Sequence, residues 1–251
     1  MTSLGTCALC RRASVELQRS HIIPDFVGRH FKREGVRFHQ ATRPRLPQQD
    51  TLKFRLLCRD CEERLGKDES LFARRLLLPW WTRRPAKLDY DEWLLRFCVG
   101  IAWRSAQVTA PKILRERPQH AEAMREAAER WRRYLLAQAR TSGAYPFHIL
   151  LLPPPPPALP PDDAEYFTKT IETTAAANET NLFVWTHLGK VVLWAQVSPL
   201  RFEGWRGTRV YRKGTLHPLR QRVAAGSLAA SFVRSRLQQL KSVRRGLPLP
   251  E

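Results

Sequence analysis

Four of the five cysteines form two Cys-x-x-Cys pairs, Cys7-Ala8-Leu9-Cys10 and Cys58-Arg59-Asp60-Cys61, and no other feature restricts the fold so severely. Each pair can present two thiolates from one tight turn, and two pairs complete the tetrahedral sulfur shell that Zn²⁺ prefers. Two disulfides or a redox pair are the alternatives. Disulfides require an oxidising compartment, and Met1 to Arg12 carry no apolar block of a secretory signal. A redox pair opens a helix after a buried strand, and Leu4-Gly5-Thr6 does not read as one. A structural zinc site at Cys7, Cys10, Cys58 and Cys61 is therefore the expectation, with Cys98, between Phe97 and Val99, in the core.

The 251 residues suffice for one large domain or two small ones. No apolar run reaches the length of a membrane span, so the chain reads as cytoplasmic with no membrane partner. The formal net charge of +20 favours polyanions, because binding to a phosphate backbone releases condensed counterions. Residues 201–251 hold twelve basic residues against two acidic ones, whereas residues 151–200 hold two against five. Glu126 with Arg130 and Glu129 with Arg133 stand four apart, so Ala121–Arg140 reads as a neutralised helix surface. Nucleic-acid contact, with DNA or RNA, is expected instead at the C-terminal Arg234, Arg236, Lys241, Arg244 and Arg245.

The pattern is α+β in three parts: a zinc-binding module over 1–78, a helical region over 79–144, and a β-rich domain over 145–251 that ends in a basic helix. Asp68-Glu69-Ser70 reads as the cap of a helix that Pro79 stops. A second helix starts at Asp89 or Asp91 and ends near Thr109-Ala110-Pro111; a third covers Ala121–Arg140. Pro153 to Pro157, extended by Pro160-Pro161, form a stiff polyproline-like connector or a ligand for a proline-recognition domain. Leu182–His187 and Lys190–Val197 read as a hairpin turning at Leu188-Gly189, and Arg209–Arg212 as a further strand. From Ser227 to about Lys241, Leu228, Phe232, Leu237 and Leu240 share a helical face. The eight tryptophans are read mostly as core, with a few available to stack on bases.

Taken together, Cys7-x-x-Cys10, Ser20-His21-Ile22-Ile23-Pro24 and Leu56-Leu57-Cys58-Arg59-Asp60-Cys61-Glu62 resemble the zinc-containing branch of the HNH endonuclease family over roughly the first seventy residues. The resemblance implies a treble-clef, ββα-like module in which zinc is structural and a separate Mg²⁺ or Mn²⁺ serves phosphodiester hydrolysis. His21 matches the family's general base, and an imidazole suits that task near neutral pH. As a histidine taken alone, His21 also reads as a structural residue beside the zinc or a substitute ligand. The family's metal-binding Asp or His before the base is here Ser20, a weaker ligand for a hard cation. Glu62 takes the second metal position, with Glu63, Asp68, Glu69 and Asp25 as further acids. Gln48-Gln49-Asp50 stands in weakly for an absent loop asparagine, and His30 and His39 lie between the cysteine pairs.

Two functions follow as expectations. One is a metal-dependent endonuclease, by analogy within a bacterial defence or mobile-element system. The other is a catalytically inactive binding subunit that docks nucleic acid or, through its C-terminal region, a protein partner. No Gly-rich nucleotide-binding motif occurs.

Overall fold

The computed structural model describes residues 4–33, 38–40, 43–48, 52–201 and 203–245, and its element order is mixed helix and sheet. Strands β1 (Leu4–Gly5) and β2 (Val15–His21) flank the turn that carries the first cysteine pair. Helix α1 (Asp25–Arg33) begins directly after Pro24, and a short ribbon, β3 (Phe38–Gln40) with β4 (Arg43–Gln48), precedes β5 (Lys53–Cys58). β5 returns antiparallel to β2, giving a sheet in the order β1-β2-β5. Gln49 and Asp50 lie outside the described residues.

Helix α2 (Arg59–Phe72) runs straight through Asp68-Glu69-Ser70, so this triplet is mid-helix and not a cap. Asp68 instead accepts from Arg96 Nε at 3.0 Å, and Glu69 pairs with Arg104. Pro79 does not stop the helix either. Its ring crowds the carbonyl four residues back and its nitrogen has no hydrogen to donate. The backbone widens to a π-helical stretch over Ala73–Leu77 and continues as α3 (Leu78–Thr82). After β6 (Leu88–Tyr90), Asp91 caps helix α4 (Glu92–Glu116), accepting from Trp93 N at 3.3 Å. α4 passes through Pro111, contrary to the expected break. Thr109 Oγ1 donates to Ser105 O at 2.8 Å and accepts from Ala175 N at 2.7 Å, so packing holds the helix together where propensity alone would end it. Helix α5 (Ala121–Leu135) ends short of Arg140, at the left-handed Ala137 (φ 59°). Glu129 pairs there with Arg132 and Arg11, not with Arg133.

Strand β7 (Phe147–Leu151) leads to the proline run, and Pro161 turns out to open helix α6 (Pro161–Lys169) instead of lengthening the connector. Strands β8 (Ile171–Ala177), β9 (Leu182–Leu188) and β10 (Val191–Ser198) complete an antiparallel sheet in the order β7-β10-β9-β8. β9 and β10 are buried on both faces. Val184, Leu188, Val191, Leu193 and Ala195 face α4, while Phe183, Trp185, Val192 and Trp194 face a second cluster with Phe232. Arg209–Arg212 forms no strand; Arg209 makes only an isolated bridge to His148. Short pairs link β11 (Trp205–Arg206) to β13 (Arg222–Val223) and β12 (Gly214–Leu216) to β6. Helix α7 (Leu228–Arg245) closes the chain.

One hydrophobic core, running from Cys7 to Leu216, joins the stretches 1–78, 79–144 and 145–251. All eight tryptophans are buried, as is Cys98. Phe72 of α2 stacks on Phe97 of α4 with ring centroids 3.7 Å apart. The turn after β9 abuts α1. A Cβ at Gly189 (φ +63°) would stand 2.6 Å from Phe31 Cζ and 3.1 Å from Thr168 O. Gly189→Ala is expected to cost about 1–3 kcal/mol, read as a lower urea midpoint at unchanged slope. Among the described residues no helix is long and apolar enough to cross a membrane.

Candidate metal centre

Two backbone features bring the four thiols together. In the first turn, Arg11 N donates to Cys7 O at 2.8 Å and Cys7 N to Arg12 O at 3.0 Å, with Arg11 left-handed at φ 63°. In the second, Cys58 ends β5 as the N-cap of α2, and Cys61 lies in that helix's first turn. Ala8 N donates to Leu56 O at 3.0 Å and Cys58 N to Cys7 Sγ at 3.3 Å, which docks one turn on the other. All four sulfurs lie within 4.8 Å of one another. Cys10 Sγ and Cys58 Sγ are 3.7 Å apart. A tetrahedron built on Zn–S bonds of about 2.3 Å has edges of about 3.8 Å, whereas a disulfide bond is about 2.05 Å. The cysteines are free thiols spaced as metal ligands, and they could hold an ion such as zinc.

The surrounding charges suit that role. Cys7, Cys58 and Cys61 are buried. Four thiolates around a divalent ion leave a net double negative charge. Arg12 donates to Cys58 Sγ at 3.3 Å and to Asp60, and the start of α2 directs its positive dipole end at the cluster. Burial pushes the thiols of Cys7 and Cys61 up. It acts on Cys10 too, but there the backbone N–H and guanidinium of Arg12 prevail and hold the thiol near about 6. From α5, Arg132 Nη1 donates to Leu9 O at 3.0 Å and fixes the turn from outside.

His21 closes β2, eleven residues from the nearest cysteine in sequence. Its carbonyl accepts from Arg104 Nη1 at 2.9 Å, and Ile22 N donates to Leu52 O at 3.0 Å. Its Nε2 lies 3.4 Å from Asp25 Oδ1, and Asp25 also holds Arg29 at 2.8 Å. Ser20 is 1% exposed, and its hydroxyl accepts from Leu57 N at 3.2 Å. That serine ties β2 to β5, with its hydroxyl turned inward. Glu62 is half-buried on α2 with one carboxylate oxygen turned inward, where it meets no hydrogen-bond partner among the described residues. The other acids of α2 are engaged: Glu63 with Arg59, Asp68 with Arg96, Glu69 with Arg104. Among the described residues, the four cysteines are the only set of three or more His, Cys, Asp or Glu donors close enough for one ion. His21, Asp25 and Glu62 do not assemble a second.

Two of the C-terminal cations are engaged within the fold. Arg236 is turned inward and paired with Glu172 of β8, its side chain 16% exposed. Lys241 Nζ is 2.7 Å from Asp163 Oδ1 of α6. Arg234 is exposed but bonds Ala225 O and Ser231 Oγ. Arg244 and Arg245 end α7, and their side chains lie outside those described. Arg236 therefore fastens α7 to the sheet, and Lys241 fastens it to α6.

A different basic surface lies beside His21. In the β2–β5 register Arg19 stands opposite Arg55 and His21 opposite Lys53, so all four side chains share one face. Arg19 and Arg55 are exposed, and α1 adds exposed Arg29, Lys32 and Arg33. The sequence signal was the spacing i, i+2 in Arg19-Ser20-His21 and in Lys53-Phe54-Arg55, which carries no meaning until the strands pair. No family model, curated protein or solved structure matches the chain.

Proposed function

We propose that the chain is a zinc-stapled, HNH-like nucleic-acid-binding protein whose treble-clef module grips phosphate with the basic face of the β2–β5 ribbon. The cross-strand juxtaposition of Arg19, Arg55, Lys53 and His21 carries the reading. Like charges placed directly opposite one another destabilise an isolated ribbon, and a bound polyanion removes that repulsion. The net charge of +20 supplies the long-range attraction.

A second reading, divalent-metal-dependent endonuclease, draws support from the contact between His21 Nε2 and Asp25 Oδ1, which would orient the imidazole as a base toward water. The inward hydroxyl of Ser20 and the engaged acids of α2 favour binding over cleavage.

Fluorescence anisotropy with labelled duplex DNA, single-stranded DNA and RNA tests both. Arg19→Ala/Arg55→Ala is expected to flatten the slope of log K against log salt by about 1.8 on duplex DNA and to weaken binding at low salt by about tenfold or more. Arg234→Ala, at an exposed cation of α7, should leave that slope unchanged. An unaltered slope in the ribbon variant removes the reading. Mg²⁺- or Mn²⁺-dependent cleavage that disappears in His21→Ala would raise the endonuclease above it.

A further inference from the structure

The proline run, the end of α1 and the start of the loop after α3 enclose a cavity of about 420 Å³, a size that accepts a small ligand. One wall is aromatic. His30 lies on Trp81 with ring centroids 4.0 Å apart, and Phe31 meets Trp81 edge-on at 5.5 Å. Pro153, Pro154 and Pro155 supply a second apolar wall. Three cations, Arg84, Lys169 and Lys190, also line it; Lys169 Nζ lies 3.8 Å from Glu165 Oε1 of its own helix, and the lining itself holds no acidic residue. Trp81 is only 8% exposed, yet its indole Nε1 is buried with no hydrogen-bond partner among the described residues.

The composition of the walls narrows the ligand. An apolar molecule would desolvate the cations for nothing, and inorganic phosphate would leave the aromatic and proline surfaces uncovered. A planar ring joined to a phosphate satisfies both.

We propose that this cavity binds a nucleoside phosphate. Its base lies against the His30–Trp81 platform and the proline rings, and its phosphate meets Arg84, Lys169 and Lys190. The run from Pro153 to Pro155 then acts as a rigid wall, since proline presents a flat apolar ring at little conformational cost. The site is separate from the ribbon face of Arg19 and Arg55 and does not rest on it.

Calorimetric titration of the full chain with adenosine, guanosine, cytidine and uridine monophosphates, the matching nucleosides, inorganic phosphate and a phosphorylated trinucleotide tests the assignment. At least one nucleotide should bind saturably, with its nucleoside and inorganic phosphate each about tenfold weaker or more. Arg84→Ala/Lys169→Ala, both surface changes, should weaken that nucleotide by about tenfold. Arg19→Ala/Arg55→Ala should leave it unchanged. Trinucleotide affinity well above that of the mononucleotide, lost in Arg84→Ala/Lys169→Ala, identifies a strand end as the source; equal affinities identify the free nucleotide. Absence of binding by every phosphorylated probe, or binding indifferent to Arg84→Ala/Lys169→Ala, overturns the proposal.

Discussion

Cys61→Ser is expected to abolish stoichiometric zinc and, with it, the ordered packing of β1, β2, β5 and the start of α2. Structural zinc contributes apparent folding free energies of about 10–16 kcal/mol in small zinc modules, comparable to or larger than the total stability of an ordinary domain. Near the cysteines the chain has little to replace it: β1 is two residues long, and Cys58 caps α2 with no side-chain hydrogen bond. The measurement is metal content by mass spectrometry beside near-ultraviolet circular dichroism and a urea titration. Cys98→Ser is the control, for Cys98 is buried in α4 away from the cluster and its loss should leave metal content intact. Protons compete with the ion for thiolate, so acidification should release metal from the wild-type chain. Equal zinc and equal midpoints in Cys61→Ser and wild type would remove the metal centre altogether.

Glu172→Gln should produce the second large loss. Glu172 is 6% exposed and takes hydrogen bonds from Tyr166 Oη (2.8 Å), Trp185 Nε1 (3.2 Å) and Arg236. Neutralising it strands the Arg236 guanidinium without a counter-charge, at a cost of about 3–5 kcal/mol. Glu172→Leu/Arg236→Met removes both charges and should lose much less, which separates a stranded charge from simple loss of packing. The pH dependence has a defined sign. Burial acts to raise the Glu172 carboxyl, but the charge and hydrogen bonds of Arg236 outweigh it and hold it below its ordinary value. Its contribution is complete above the unfolded carboxylate range and is lost as pH falls through the folded value. Burial, helped by the charge of Arg209, lowers His148 to about 3. Between the ordinary histidine value of about 6.5 and that figure, the unfolded chain takes up a proton that the folded chain refuses. Both groups make the protein less stable toward acid, and urea midpoints measured from neutral pH downward should fall steadily. A flat profile would contradict the buried placement of both.

The clustering of the four cysteines was legible from spacing, because a Cys-x-x-Cys turn is local. The β9–β10 hairpin was legible for the same reason, whereas the start of α4 stayed open between Asp89 and Asp91 until the structure placed the cap at Asp91. Pro79 and Pro111 misled because proline's cost is local, whereas the π-helical stretch and the contacts of Thr109 that absorb it come from packing. The ribbon beside His21 was hidden by register: Arg19 and Arg55 become neighbours only across a pairing of distant segments. Arg236 could have been placed. It follows Phe232 by four residues, so it shares that residue's apolar face, and its guanidinium lies 5.9 Å from the Phe232 ring.

Arg104 gives the architecture one more meaning. Its guanidinium sits on α4, in the middle of the chain, yet it holds the carbonyl of His21 and the carboxylate of Glu69 together. The backbone of His21 is thus anchored by a helix that no cysteine spacing foretells. The cysteine-bearing end is not a cassette that recombination could lift out and transplant, because its reference frame belongs to the interior of its neighbour.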